Sequence, residues 1–148
     1  MRSILTTWLL SVPLVLGSAA VWADLGRILA FDGDVRINGE PVTSDTVLQK
    51  DDKISTGPEA SVQIVLADNS VLDLEPNSEV DINEYVFDPV APENNTSQIS
   101  VLAGTLRYVS GKIAKDDPED VSFTAGESTI GVRGTYISIS VCPDEGCN

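Results

Sequence analysis

The chain has 148 residues, with 23 acidic against 9 basic side chains, no histidine and a formal charge of −14. A surface of that sign repels nucleic acid and anionic lipid, and the lack of histidine removes the usual base for chemistry at neutral pH. The length fits one ordinary domain that can bury a core without metal or extensive cross-linking.

The first 23 residues read as a leader. Arg2 gives a positive start, "ILTTWLLSVPLVLG" an apolar middle, and "SAAVWA" ends in small residues with Val21 and Ala23 at the positions a signal peptidase reads. Cleavage is expected after Ala23, leaving Asp24–Asn148 as one exported domain, without an anchor, because the apolar middle is shorter than the ~20 residues of a membrane span.

From there the pattern is of short strands at period two. "GRILAF" and "DVRI" flank Asp32-Gly33, and Asn38-Gly39 is the strongest hairpin signal in the chain. "KIST" is stopped by Gly57-Pro58. "ASVQIVLA" places Val62, Ile64 and Leu66 on one face, after which "DNS" and "PNS" turn the chain into "VLDLE" and "EVDI". "YVFDPVAPENNTSQ" reads as an exposed loop, with Asn94 and Asn95 opening glycosylation sequons. "SQISVLA" and "TLRYVSGKI" are expected to pair about Ala103-Gly104, and "AKDDPED" reads as an acidic loop before "VSFTA". Gly33, Gly104 and Gly131 begin related short stretches, "GDVRI", "GTLRY" and "GVRG", which predicts similar corners of stacked turns. No run has helical periodicity, so the fold class expected is all-β, built of short stacked antiparallel strands in a solenoid-like or sandwich-like arrangement.

Sites for chemistry are sparse. No glycine-framed serine accompanies the missing histidine, and Trp8 and Trp22 both leave with the leader, so no aromatic platform remains for a sugar. No enzyme, cofactor or catalytic residue is expected. "ADNSVLDLEPNSEVDINE" offers hard oxygen ligands, but its spacing matches no calcium loop; Asp73, Glu75, Glu79 and Asp81 read as the solvated sides of strands, capable of diffuse cation binding. Cys142 and Cys147 in "CPDEGCN" are expected to form a local disulfide. The last strand alternates, with Thr135, Ile137, Ile139 and Val141 opposite Tyr136, Ser138 and Ser140. Before it, Gly131-Val132-Arg133-Gly134-Thr135 interrupts an apolar run, as glycines do at a bulge or corner. Arg133 is expected to tie off carbonyls there as a buried clamp, the alternative being an arginine that contacts a partner.

The order of these motifs resembles the FecR-like periplasmic domain family. "GDVRINGEPV", "DKISTGPEASVQIVLADNSVLDLEPNSEV", "LAGTLRYVSGK" and "FTAGESTIGVRGTYISISV" carry the likeness. The resemblance implies an all-β domain and no catalytic residue. Its named members are iron-uptake sensors, in which a cytoplasmic segment controls a sigma factor and one membrane helix leads to this domain outside, where it meets the signalling domain of an outer-membrane transporter. This chain has a cleavable leader in place of that segment and helix, so it is expected to be a stand-alone periplasmic or secreted member that binds an envelope protein as a sensor accessory or scaffold. The competing expectation is an acidic structural or cation-binding surface protein with no dedicated partner.

Overall fold

A computed structural model describes residues 24–142. It contains twelve strands in one sheet that curls over itself to enclose a core. The strands are β1 (Gly26–Asp32), β2 (Val35–Ile37), β3 (Glu40–Pro41), β4 (Val47–Leu48), β5 (Lys53–Thr56), β6 (Ser61–Leu66), β7 (Val71–Leu74), β8 (Glu79–Val86), β9 (Thr96–Val109), β10 (Val121–Ala125), β11 (Ser128–Gly131) and β12 (Tyr136–Val141). The all-β expectation holds. The expected leader and Cys147 lie outside the described residues, while Cys142 is at their edge.

The sheet divides into two leaves that share β9. One leaf runs β4-β1-β6-β7-β9-β12, and every pair in it is antiparallel. The other runs β3-β2-β5-β8-β9-β10-β11, where only β9 and β10 are parallel. Alternation decides which side chains meet between the leaves. In β6, Val62, Ile64 and Leu66 point inward as their spacing predicts, towards Ile54, Val80 and Ile99 of the other leaf within a single apolar cluster. Tyr108 of β9 meets Phe123 of β10 edge-to-face, with ring centroids 5.0 Å apart, an arrangement that aromatic quadrupoles favour.

The two runs expected to form a hairpin about Ala103-Gly104 are instead one strand of 14 residues. Gly104, at φ +78°, bends the strand without reversing it, so its first half pairs with β8 and β10 and its second with β7 and β12. Ser78 backs the bend: its Oγ accepts from Thr105 N at 3.0 Å and donates to Thr105 O at 3.2 Å.

Other passages between leaves stack beside it. Gly57 N–H donates to Asp34 O at 2.9 Å, and Asn77 N–H donates to Gly57 O at 3.1 Å. Gly33 sits at the corner from β1 to β2, so Gly33 and Gly104 do occupy equivalent places. Gly131 does not; it lies within β11 and has no positive φ. "AKDDPED" is also more ordered than a loop, forming α1 (Lys112–Asp116) and a 3-10 turn at Pro118–Asp120. Five residues are too few to show a helical period in sequence. Of the two sequon asparagines, Asn94 is exposed, whereas Asn95 is buried and accepts the Asp88 N–H at 2.6 Å.

Candidate interaction edge

Residues 131–135 carry the chain from β11 in one leaf to β12 in the other. Val132 enters the core at 2% exposure, and Arg133 turns to solvent. Arg133 makes no hydrogen bond or ion pair with the described residues, which overturns the buried-clamp expectation. Val132 takes the inward place in this crossing, and the neighbouring Arg133 is left facing solvent. Ser110 ties off the crossing instead. Its Oγ donates to Gly134 O at 2.7 Å, and its N–H donates to Thr135 O at 2.9 Å. Gly134 itself sits at φ +123° with open space where a Cβ would be, so its need for glycine comes from the backbone conformation and not from crowding. The structure therefore predicts that Arg133→Ala changes stability by less than about 0.5 kcal/mol, as at other surface positions without contacts; a thermal melt checks this.

This crossing joins two open edges. Among the described residues β11 pairs only with β10, and β12 only with β9. An open edge exposes a row of unpaired N–H and C=O groups, which proteins usually blunt with short strands, proline, charge or bulges. The other edges here are blunted in those ways. β3 is two residues long and consists of Glu40 and Pro41; β4 is also two residues long. Beyond β4, the edge of β1 is broken by a bulge at Leu29 and ends in Asp32. β12 has none of these features. It is six residues, Tyr-Ile-Ser-Ile-Ser-Val, with no charge and no proline, and the whole stretch Ser128–Val141 contains no acidic residue in a chain of net charge −14.

The register shows what this edge presents. The bond from Ser110 N–H to Thr135 O fixes the alternation of the β9–β12 ladder. Ile137, Ile139 and Val141 accordingly turn their backbone groups to β9, while Tyr136, Ser138 and Ser140 turn theirs outward. Of the inward side chains at this end, Ile139 is buried in the core, while Ile137 and Val141 on either side of it are only half-buried.

The acidic side chains do not gather into a chelate. No group of three or more potential metal-ligating side chains occurs among the described residues. Asp73 accepts from Gln63 at 2.8 Å, Glu75 pairs with Arg107, and Glu79 pairs with Lys53 at 3.0 Å, with Asp81 also near that ammonium. Asp73 and Glu75 lie on one leaf and Glu79 and Asp81 on the other.

The acidic residue with the fullest coordination is Asp68, which the sequence offered only as part of a "DNS" turn. It is 1% exposed. Its Oδ1 accepts from Ser70 N at 3.1 Å, Ser70 Oγ at 2.6 Å and Tyr85 OH at 3.0 Å, and its Oδ2 accepts from Ile113 N at 3.2 Å. The network joins the β6–β7 turn to β8 and α1, and so holds the end of β9 from which Ser110 braces the edge. Burial, and then the Asp68 charge, pushes the Tyr108 hydroxyl up from 10.0 to about 12 and raises Tyr85 for the same reasons. Both tyrosines stay protonated in the fold where they would ionise unfolded. The stability these two tyrosines contribute is therefore fully present below about pH 10 and is lost as pH rises towards 12, by about 1.4 kcal/mol per pH unit for each tyrosine. Tyrosinate absorbance and circular dichroism followed together through that window should show ionisation coinciding with unfolding.

A family profile described as FecR protein matches residues 52–146, well over half of the chain. The chain belongs to the FecR family. The match contains the Asp68 network, the bend at Gly104 and the whole β11–β12 edge; "GDVRINGEPV" falls before it. FecR domains are non-catalytic sensor or regulatory modules that act through protein contacts in envelope signalling. No curated protein and no solved structure matches this FecR chain. Among its described residues, no helix is long and apolar enough to cross a membrane.

Proposed function

We propose that this FecR protein is an exported, non-enzymatic interaction module of the bacterial envelope, a sensor accessory or scaffold that binds an envelope protein by accepting one of its strands on β12. The observation that carries the reading is the contrast among edges. Among the described residues, the other open edges are short, bulged, charged or interrupted by proline, as is the outer side of β8 beyond β5, or belong to the four-residue β11. Among the described strands, β12 combines length, neutrality and outward backbone groups with half-buried aliphatic side chains. In strand addition, main-chain hydrogen bonds supply affinity and alternate side chains supply selectivity. Arg133 supports the same reading as a contact residue, since it is exposed at the start of this edge in a stretch without acids.

The test is affinity capture from envelope extract with wild-type and Ser138→Pro protein. Proline at 138 removes an outward N–H and leaves the ladder to β9 intact, so capture of the partner should be lost while the thermal melt stays cooperative. Ile139→Pro is the control, because it removes a bond within the β9–β12 ladder and should destabilise the edge itself. Equal capture by wild type and Ser138→Pro would move the contact away from β12. An empty capture, with a calcium-dependent rise in melting temperature beyond that of equal ionic strength, would favour the acidic cation-binding alternative.

A further inference from the structure

The face beside this edge carries a feature that acidity and alternation alone do not explain. Across the outer side of the β4-β1-β6-β7-β9-β12 leaf, register places Val47, Arg27, Val65, Val71, Val109 and Tyr136 in one row. Six strands at about 4.8 Å spacing make this row about 24 Å long. Val65, Val71 and Val109 are half-buried by their neighbours, and Tyr136, at 57% exposure, ends the row on the open edge. The neighbouring row starts at Ala30 and is polar from there on, running Gln63, Asp73, Arg107 and Ser138.

A strand added to β12 extends both rows by one residue, and so each of its positions has a defined environment. We infer that the strand received by β12 is antiparallel, places aliphatic residues opposite Ile137 and Ile139 and an apolar or aromatic residue opposite Tyr136, and carries a carboxylate two or three residues later, beside Arg133. This rests on β12 being the receiving edge. The direction follows from the leaf, in which every pair is antiparallel; in that direction Tyr136, Ser138 and Ser140 each exchange both backbone bonds with the incoming strand. The inward positions are aliphatic because Ile137 and Val141 are half-buried and Ile139 borders them. Opposite Ser138, next to Arg107, a polar residue continues the polar row. The carboxylate follows from charge: Arg133 is exposed without an ion-pair partner among the described residues, and Ser128–Val141 contains no acid to compete for it. Read from its N-terminus, the incoming strand is polar, aliphatic, polar, aliphatic, aromatic, and then acidic after a short gap.

The experiment uses isotope-labelled protein and a synthetic peptide, acetyl-Thr-Val-Thr-Ile-Tyr-Gly-Gly-Glu-amide. Binding is followed by chemical shift and by amide exchange. The expected result is slowed exchange at the amides of Tyr136, Ser138 and Ser140. A peptide of the same composition with its alternation shifted by one residue should bind at least about fivefold more weakly, because a slip by one turns every side chain to the wrong face. Changing the terminal Glu to Lys should weaken binding about three- to fivefold at low salt, the range of an exposed ion pair, and Arg133→Glu should restore it. Equal binding by the shifted peptide overturns the inferred pattern, as does indifference to the Glu-to-Lys change. If no peptide slows those amides while Ser138→Pro still abolishes partner capture, the edge reading stands and the pattern is wrong. If neither experiment responds, both fall.

Discussion

Asp68→Ala is expected to lower stability by about 3–6 kcal/mol, the largest effect of any single side-chain truncation proposed for this protein. The carboxylate accepts from Ser70 N, Ser70 Oγ, Tyr85 OH and Ile113 N. Ser70 is 0% and Tyr85 5% exposed, so water cannot readily replace the lost acceptor. Each buried donor left without a partner costs about 1–3 kcal/mol, and the serine and tyrosine hydroxyls can recover part of that by rotating. Against the roughly 5–15 kcal/mol that holds a typical domain, such a loss takes the protein close to its threshold. Asp68→Asn separates hydrogen bonding from shape. Its amide oxygen can still accept from Ser70 and Tyr85, but its NH2 then meets the Ile113 N–H, donor against donor, so the loss should be intermediate. Urea denaturation of both variants checks the order. An Asp68→Ala loss below about 1 kcal/mol would mean that the network does not support the fold.

Gly104→Ala is expected to be nearly as damaging, for a steric reason. A Cβ at this position would lie 2.5 Å from Ser78 Cα and 2.6 Å from Asn77 O, and would also overlap Ser78 Oγ. Two of those atoms are backbone, so no rotamer change relieves the contact. The φ of +78° adds the strain that any L side chain meets in the left-handed region. Together these should cost about 3 kcal/mol or more, in the upper range for point substitutions. Gly134→Ala is the informative comparison. That position also has positive φ, at +123°, but has nothing within 4 Å of the added methyl, so it reports backbone strain without crowding. If Gly104→Ala were no worse than Gly134→Ala, packing against the Ser78 corner would not be what demands glycine at 104.

The sequence made some of this architecture legible and concealed the rest for identifiable reasons. The inward row of β6 and the turn at Asn38-Gly39 are local facts, written in alternation and in a dipeptide. The bend in β9 was misread because two alternating runs about a glycine look alike whether the chain reverses or only turns a corner; the difference lies in Ser78, which is remote in sequence. Arg133 was misread as a clamp because a lone arginine among apolar residues does not say which of two adjacent side chains, Val132 or Arg133, enters the core. The Asp68 network was half visible. The bond from Ser70 N–H to its carboxylate spans two residues and is an ordinary side-chain turn, but its other partners lie 17 and 45 residues away, beyond any local pattern. β12 was visible as an alternating strand, but that one side of it is open among the described residues follows only from the pairing of all the other strands.

The central place of β9 also bears on how the molecule assembles as synthesis proceeds from the N-terminus. Eight strands precede it, yet β7 is paired only with β6 and β8 only with β5 until it arrives, and the two leaves have no common strand before then. Closing the core thus depends on contacts between residues far apart along the chain, the class of topology that folds slowly, in milliseconds to seconds. During that interval the inward faces of β5, β6 and β7 have no finished core to enter, and a nascent chain is most exposed to aggregation at such a point. The core cannot close before residue 109 has been made, and β12, whose pairing among the described residues is with β9, can join only after that.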